Sequence, residues 1–509
     1  MTPVGSGRVW ARHRVARLAI FAALGVFTAL GQAPIDAWPL AWIGWAVALG
    51  LLASAPGMAA LATGTLVFGL GYFGFTLRWL VEPFLVDAAT WGWAAPFGVS
   101  LMALRETLFW VAGVLVARVL APGRLSGLVL ALTLAEALRG YLFTGFPWGL
   151  IGHALIPSQL LHLAAFGGPH LLTLVLLTCA AGAVLLARRR WIGALPILAA
   201  GVAMPLLNQG TAPAPDPDAP VIRIVQPNAP QDEKWDPAQN AMFFWRMVEF
   251  TQAEPRADLV VWPETAIPVR LDYAQPELDI VADAAGGTPV VTGINRAVEG
   301  EYFNSLIVLG RGGAVRDVYD KAHLVPFGEY VPFGDLLKSM GVRGLAPSDG
   351  GGFAKGAPGR GLVDLPGVGL ARALICYEGI FAEEITLPGP RPRLLLMITN
   401  DAWFGKAAGP QQHLAQARLR AVEQGLPMVR SANTGISAMI DGRGRVIQSI
   451  PLGQAGARDV ALPQALPPTL YTKAGDWPVL ILVVAGLAGL GALRWRAGAL
   501  RLDRPGATP

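Results

Sequence analysis

A bundle of about eight apolar membrane helices joined to an extramembrane α/β layered domain is the architecture that this chain of 509 residues predicts. Three observations lead there. Hydrophobic residues make up 53% of the chain and charged residues only 15%, against about 25% charged in ordinary soluble domains. Apolar runs of about 20 residues, the length that crosses the hydrocarbon of a bilayer, crowd the first 208 positions and return once near the end. Between these regions the hydropathy drops, and short β-branched runs alternate with helical patterns, the signature of strands layered with helices.

The apolar runs cover 15–33, 36–54, 57–79, 92–119, 124–141, 160–187 and 191–208, and an eighth lies within 475–497. Arg8, Arg12, Arg14 and Arg17 precede the first, as in a signal peptide. Pro34, directly after Gln32-Ala33, argues against cleavage, and a second run follows at once. Lys and Arg in short loops mark the cytoplasmic side. Arg118 and Arg124 flank the fourth loop, Arg188-Arg189-Arg190 form the sixth, and the tail 498–509 carries Arg501 and Arg504. Parity then places both termini in the cytoplasm and the large domain outside it. The net charge of +5 is largely accounted for by these flanks, so it is no nucleic-acid signal.

Residues 209–220, rich in proline, form a linker too broken for helix or strand. The domain beyond it, 221–470, shows strand patterns at Val221–Val225, Leu259–Trp262, Pro289–Thr292, Ser305–Leu309, Leu370–Cys376, Leu394–Thr399, Met428–Ser431 and Ile436–Ile440. Helical patterns lie at Pro237–Gln252, Glu277–Ala284, Phe381–Thr386 and Pro410–Gln424. No repeat of 20–50 residues is present.

Three segments carry chemistry. Cys376 ends an apolar strand, one of two cysteines in the chain. Cys179 lies inside an apolar run, out of reach for a disulfide, which leaves a buried hydrophobe or a nucleophile. A free thiol has a pKa near 8.5, so nucleophilic use requires a neighbouring base or cation. In Asp258-Leu-Val-Val-Trp-Pro-Glu-Thr-Ala-Ile-Pro268 a buried strand breaks at Pro263 and presents Glu264, either a capped loop residue or a desolvated base. The stretch from Tyr319 to Pro332 sets Lys321 and Glu329 on either side of a Pro/Gly loop.

Taken together, Trp262-Pro-Glu-Thr-Ala266, Asp320-Lys-Ala-His-Leu-Val-Pro-Phe-Gly-Glu-Tyr-Val-Pro332, Cys376-Tyr-Glu378 and Thr399-Asn-Asp-Ala-Trp-Phe-Gly405 resemble the apolipoprotein N-acyltransferases, the membrane-bound branch of the nitrilase superfamily. The resemblance extends over essentially the whole chain. It implies a nitrilase-like α-β-β-α sandwich and a Glu-Lys-Cys triad, with Cys376 as nucleophile, Glu264 as general base and Lys321 as the cation that stabilises the oxyanion. Glu329, Tyr377, Glu378 and Trp235 match further positions on which the family's activity depends. The implied reaction moves an acyl chain from a phospholipid to the α-amino group of a diacylglyceryl-cysteine at the N-terminus of an apolipoprotein. The implied partners are therefore phospholipid, modified apolipoproteins and the bilayer of a bacterial inner membrane, without nucleic acid or cofactor. Phe146, Pro147, Trp148, Phe327, Phe333 and Phe404 are candidates for the lipid approach, with Trp148 equally readable as an interfacial anchor. Glu136 and Arg139 read either as a structural pair or as a headgroup contact.

Other chemistries fit poorly. The six histidines are scattered, and neither His-Glu-x-x-His nor Cys-x-x-Cys occurs, which speaks against a metal site. Gly310-Arg-Gly-Gly313 and Asp349-Gly-Gly-Gly352 lack the Lys-Ser/Thr of a phosphate loop, and the first reads as a hairpin turn. Two alternatives keep the fold but change the function: a membrane-anchored amidase with water as acceptor, and a transporter or lipid-binding scaffold carrying an inactive enzyme domain.

Overall fold

The computed structural model describes residues 14–207, 213, 215–330, 352–357, 359–386 and 388–502. Seven apolar helices open the chain: α1 (Arg14–Ala29), α2 (Trp38–Ala53), α3 (Met58–Thr76), α4 (Ala95–Leu120), α5 (Leu125–Tyr141), α6 (Ala164–Ala187) and α7 (Ala194–Leu207). They gather with the C-terminal helix Trp477–Leu502 into one compact unit. Among the described residues four stretches are long and apolar enough to cross a membrane: Met58–Thr76, Ala88–Leu120, Gln159–Ala187 and Trp477–Ala497. The other expected spans form helices of 14 to 17 residues. Glycines let the helices approach closely: a Cβ on Gly25 would collide with the Phe68 carbonyl, and one on Gly71 with that of Ala22. α6 is kinked where Gly167, Gly168 (φ 61°) and Pro169 interrupt its hydrogen bonding.

The stretch between α5 and α6 is neither helix nor strand for its first nine residues, yet it is buried from Phe146 to Ile156. Backbone polar groups there need internal partners. Arg139 donates to the carbonyls of Phe146 (2.8 Å) and Trp148 (3.0 Å), Gln32 to that of Leu150 (3.0 Å), and the Ile151 N–H to Glu136 (2.6 Å). Arg139 also pairs with Glu136 at 2.8 Å and with Glu106 at 3.0 Å, all three fully buried. Glu136 and Arg139 are thus a structural pair. Trp148, 1% exposed, is no interfacial anchor, because the turn carries its ring inward to stack on Phe146.

The second unit comprises Trp79–Ala95 and the chain up to Thr472. Among the described residues twelve strands build two six-stranded sheets: β1 (Val221–Gln226), β2 (Leu259–Val261), β3 (Val290–Val298), β4 (Glu301–Leu309), β5 (Val315–Asp320), β6 (Leu362–Leu365), β7 (Gly369–Ile375), β8 (Leu394–Thr399), β9 (Met428–Ala432), β10 (Ser437–Ile440), β11 (Val446–Ile450) and β12 (Gly456–Ala461). Among the described residues their order is β12-β1-β2-β3-β4-β5 and β11-β10-β9-β8-β7-β6. The central pairs β1–β2, β2–β3, β7–β8 and β8–β9 are parallel, and the flanking pairs antiparallel.

Alternation along each strand explains the layers. Leu259 and Val261 face the other sheet, meeting Ile375, Leu396 and Ile398 in a shared core. Val260 and Trp262 face outward against α8 (Asn240–Gln252) and α9 (Gln275–Ala285). Leu374, Leu395 and Met397 face α10 (Gly409–Gln424) on the opposite side. Strands covered on both faces read as unbroken apolar runs, and the result is the predicted α-β-β-α sandwich. The expected helix Phe381–Thr386 is instead a 3-10 turn, Ala382–Glu384, too short for a packed helical face.

Candidate active site

Strand ends deliver the functional side chains, as is general for sheets with parallel centres. Lys321 follows β5, Cys376 follows β7, Glu264 lies three residues past β2, and Asn400 follows β8. Each turn is tight: Cys376 has φ 50° and Thr265 φ 46°, left-handed values that residues with side chains rarely adopt. Gly293 makes room for the second turn, since a Cβ there would strike the backbone of Glu264 and Thr265. Backbone strain of this kind collects at functional sites.

Lys321, 1% exposed, donates to Glu329 Oε1 at 2.9 Å and stands 3.5 Å from Glu264 Oε1. Burial alone would lower its pKa, but Glu329 and then Glu264 more than reverse this and hold the amine well above the ordinary lysine range. Asn304 bridges the two carboxylates, donating to Glu264 Oε1 (2.7 Å) and Glu329 Oε1 (3.1 Å). The Asn400 N–H donates to Glu264 Oε2 at 2.7 Å, and the Val325 N–H to Glu329 Oε2 at 2.8 Å. Glu264 is thereby fixed, with Asn304 and the Lys321 ammonium facing Oε1 and the Asn400 N–H facing Oε2.

The Cys376 thiol is pushed up by burial first and by the Glu264 charge second, while Lys321 and a hydrogen bond with Thr399 pull the other way. The resting group is therefore a thiol, and its conversion to thiolate requires a base at hand. Glu378 fastens the two segments that carry Lys321 and Cys376. Its Oε1 accepts from the Tyr319 hydroxyl (2.6 Å) and the Ala322 N–H (2.7 Å), and its Oε2 from the Ile375 N–H (2.7 Å). Burial raises the Glu378 carboxyl despite these donors. Tyr377 packs edge-on against Phe381 at 5.0 Å.

Glu264, Lys321, Glu329, Cys376, Tyr377 and Glu378 thus fall in one constellation. Trp235 stands beside it: 42% exposed, it lines a shallow cleft with Lys234, Phe243 and Thr265. Lys234 joins that cleft to the site by donating to the Glu264 carbonyl (3.1 Å) and the Thr265 hydroxyl (2.7 Å), and burial lowers its pKa to about 8. Among the lipid-approach candidates Phe327 is 50% exposed, Phe404 packs on Trp79 at 4.8 Å, and Phe333 lies outside the described residues. Among the described residues no group of three His, Cys, Asp or Glu is placed to hold a metal ion.

Asn304, Lys234 and Thr399 had not been singled out from the sequence. A buried polar amide in the middle of β4 is the one local signal for Asn304, since asparagine is depleted in strands.

Residues 221–466 match the carbon-nitrogen hydrolase family, and residues 24–182 the apolipoprotein N-acyltransferase N-terminal domain. An apolipoprotein N-acyltransferase of Rhodopseudomonas palustris is 36% identical over 515 aligned positions, covering 93% of this chain and 94% of that protein. The chain belongs to the apolipoprotein N-acyltransferase family. A second family member, from Sinorhizobium fredii, is 39% identical over 79% of both chains. Among solved structures, an amidase from Nesterenkonia sp. is 18% identical and covers 53% of this chain and 97% of its own, with a TM-score of 0.38. At that level of likeness it bears on neither substrate nor chemistry.

Proposed function

We propose that this family member takes a fatty acyl chain from a membrane phospholipid and places it on the α-amino group of a diacylglyceryl-cysteine at the N-terminus of an apolipoprotein, through a thioester on Cys376. One observation carries the reading: a buried thiol, a carboxylate oriented by amide donors and a lysine held cationic converge at the strand ends.

Glu264 accepts the thiol proton as Sγ attacks the ester carbonyl, and Lys321 meets the negative charge that develops on the carbonyl oxygen. Collapse breaks the ester C–O bond, and Glu264 returns its proton to the departing lysophospholipid hydroxyl. The acceptor amine then attacks the thioester, Glu264 takes a proton from the nitrogen, and the thiol is restored. Glu329 keeps Lys321 charged and aimed, while Glu378 keeps the two segments in register. Trp235 lines the cleft next to Thr265, and Tyr377 directly follows the nucleophile.

The donor explains the membrane helices. Drawing an acyl chain into water costs about 0.8 kcal/mol per CH₂, so a long chain is handled at the bilayer. The distribution of Lys and Arg supports a multi-pass protein of the bacterial inner membrane with both termini cytoplasmic and the catalytic domain periplasmic.

The test is transfer itself. Purified protein in phospholipid vesicles, given a diacylglyceryl-cysteinyl peptide, should add one acyl mass to the peptide, and Cys376→Ala should not. Release of free fatty acid with an unmodified peptide would instead indicate the hydrolase that the carbon-nitrogen hydrolase match keeps as the second reading.

A further inference from the structure

The left-handed backbone of Cys376 needs something to hold it. Its carbonyl oxygen lies 3.3 Å from Nε2 of His413, a residue on α10 with no exposure. A carbonyl only accepts, so Nε2 carries the proton whatever the state of the other nitrogen. That other nitrogen, Nδ1, is 2.9 Å from Asp401 Oδ1 and 3.0 Å from Arg430 Nη2. Arg430 in turn donates to Asp401 Oδ2 at 2.6 Å, and the Thr399 hydroxyl to Asp401 Oδ1 at 2.9 Å. Burial alone would raise the Asp401 carboxyl, but Arg430 and then His413 hold it well below the usual carboxylate range.

Three fully buried ionisable side chains, from α10, β9 and the turn after β8, bond one another; His413 reaches this backbone carbonyl, and Arg430 also donates to the Ile436 carbonyl at 2.6 Å. Filling the same volume with apolar side chains would avoid their desolvation, so stability alone is a poor reason for them. The peptide between residues 376 and 377 supplies a better one. In a planar trans peptide the C=O and N–H point in opposite directions, so fixing the carbonyl fixes the Tyr377 N–H. A backbone N–H following a nucleophile is a general donor to the oxyanion of acyl transfer.

We propose that His413 is a positioning residue for acyl transfer: by holding the Cys376 carbonyl it sets the plane of the 376–377 peptide, and so the direction of its N–H relative to the oxygen that becomes negative. This rests on Cys376 being the nucleophile. The full-length protein is compared as wild type, His413→Leu and His413→Gln in two reactions of the same thiol. One is acyl-enzyme formation from phospholipid, followed by intact mass; the other is alkylation by iodoacetamide, a displacement at carbon that builds no oxyanion.

The Leu variant should acylate about 10²-fold more slowly, in the range of a lost oxyanion donor. Its alkylation should stay within about threefold of wild type, because thiolate formation is unchanged. The Gln variant, which retains an N–H donor, should recover acylation to within about fivefold of wild type. Unchanged acylation in the Leu variant, or a parallel fall of both reactions, overturns the proposal. Where the Leu variant does not fold, the Gln variant decides, and a folded Gln protein in which acylation and alkylation fall together overturns the proposal. A wild type that never forms the adduct removes the nucleophile reading first, and this inference with it.

Discussion

Two buried clusters in this chain each set a cation between two carboxylates and wire it differently. In the helical unit, Glu106 and Glu136 flank Arg139; in the sandwich, Glu264 and Glu329 flank Lys321. Arg139 spends its planar donors on both carboxylates and on two loop carbonyls, and Trp110 and the Ile151 N–H fill more of Glu136. Nothing in that arrangement faces a reactive atom; it ties an irregular buried segment to the helices. Lysine, a compact point charge, suits the other role. It sits closer to Glu329 than to Glu264, and its charge and that of Glu264 both reach the Cys376 thiol. A cation between two carboxylates is therefore a brace when every donor is committed to the fold, and suits the proposed catalysis when a thiol shares the field.

Breaking each cluster should separate the two roles. Lys321→Met removes the oxyanion partner and leaves two carboxylates facing each other, so acyl-enzyme formation should fall about 10³-fold or more, read by time-resolved intact mass. Arg139→Met leaves Glu136 buried without its cation, while Glu106 keeps Arg105, and should cost about 3–5 kcal/mol of stability. A melt in detergent would register that loss, and adding Glu106→Gln and Glu136→Gln should recover much of it. Glu329→Gln keeps a hydrogen-bond acceptor for Lys321 but loses the charge; a charge-assisted bond is worth about 1.5–3 kcal/mol, which corresponds to a tenfold to hundredfold slower acylation. Last, the raised Cys376 thiol should alkylate about tenfold faster per pH unit, without a plateau by pH 9, because thiolate rises with pH until the pKa is passed. A plateau near neutrality would mean that Lys321 outweighs burial and Glu264, contrary to the order of causes here.

The helices and the central strands were legible because each is an unbroken apolar run of the length its element requires. Leu259–Val261 and Leu394–Thr399 are apolar on both faces, which only a doubly covered strand requires. The breaks after them, at Pro263 and Asn400, marked where side chains emerge. The edge strands β5, β6, β11 and β12 were not read from the sequence, since segments such as Val-Arg-Asp-Val-Tyr-Asp mix exposed charges with half-buried residues. The triad candidates stood out through their local motifs. Their supports did not: Asn304 meets Glu264 across 40 positions and the Asn400 N–H meets it across 136, and no local pattern encodes such pairings. His413 looked like one scattered histidine on a helix until the fold brought it under the Cys376 carbonyl. Trp148 misled for a related reason, because only the Arg139 brace turns its segment inward.

The most direct measurement is intact mass spectrometry of the purified protein after incubation with phospholipid, alongside Cys376→Ala. A single fatty-acyl adduct on wild type alone, discharged by a diacylglyceryl-cysteinyl peptide that gains the same mass, is the expected result. An equal adduct on Cys376→Ala, or none on folded wild type while the peptide is still acylated, would contradict a thioester at Cys376.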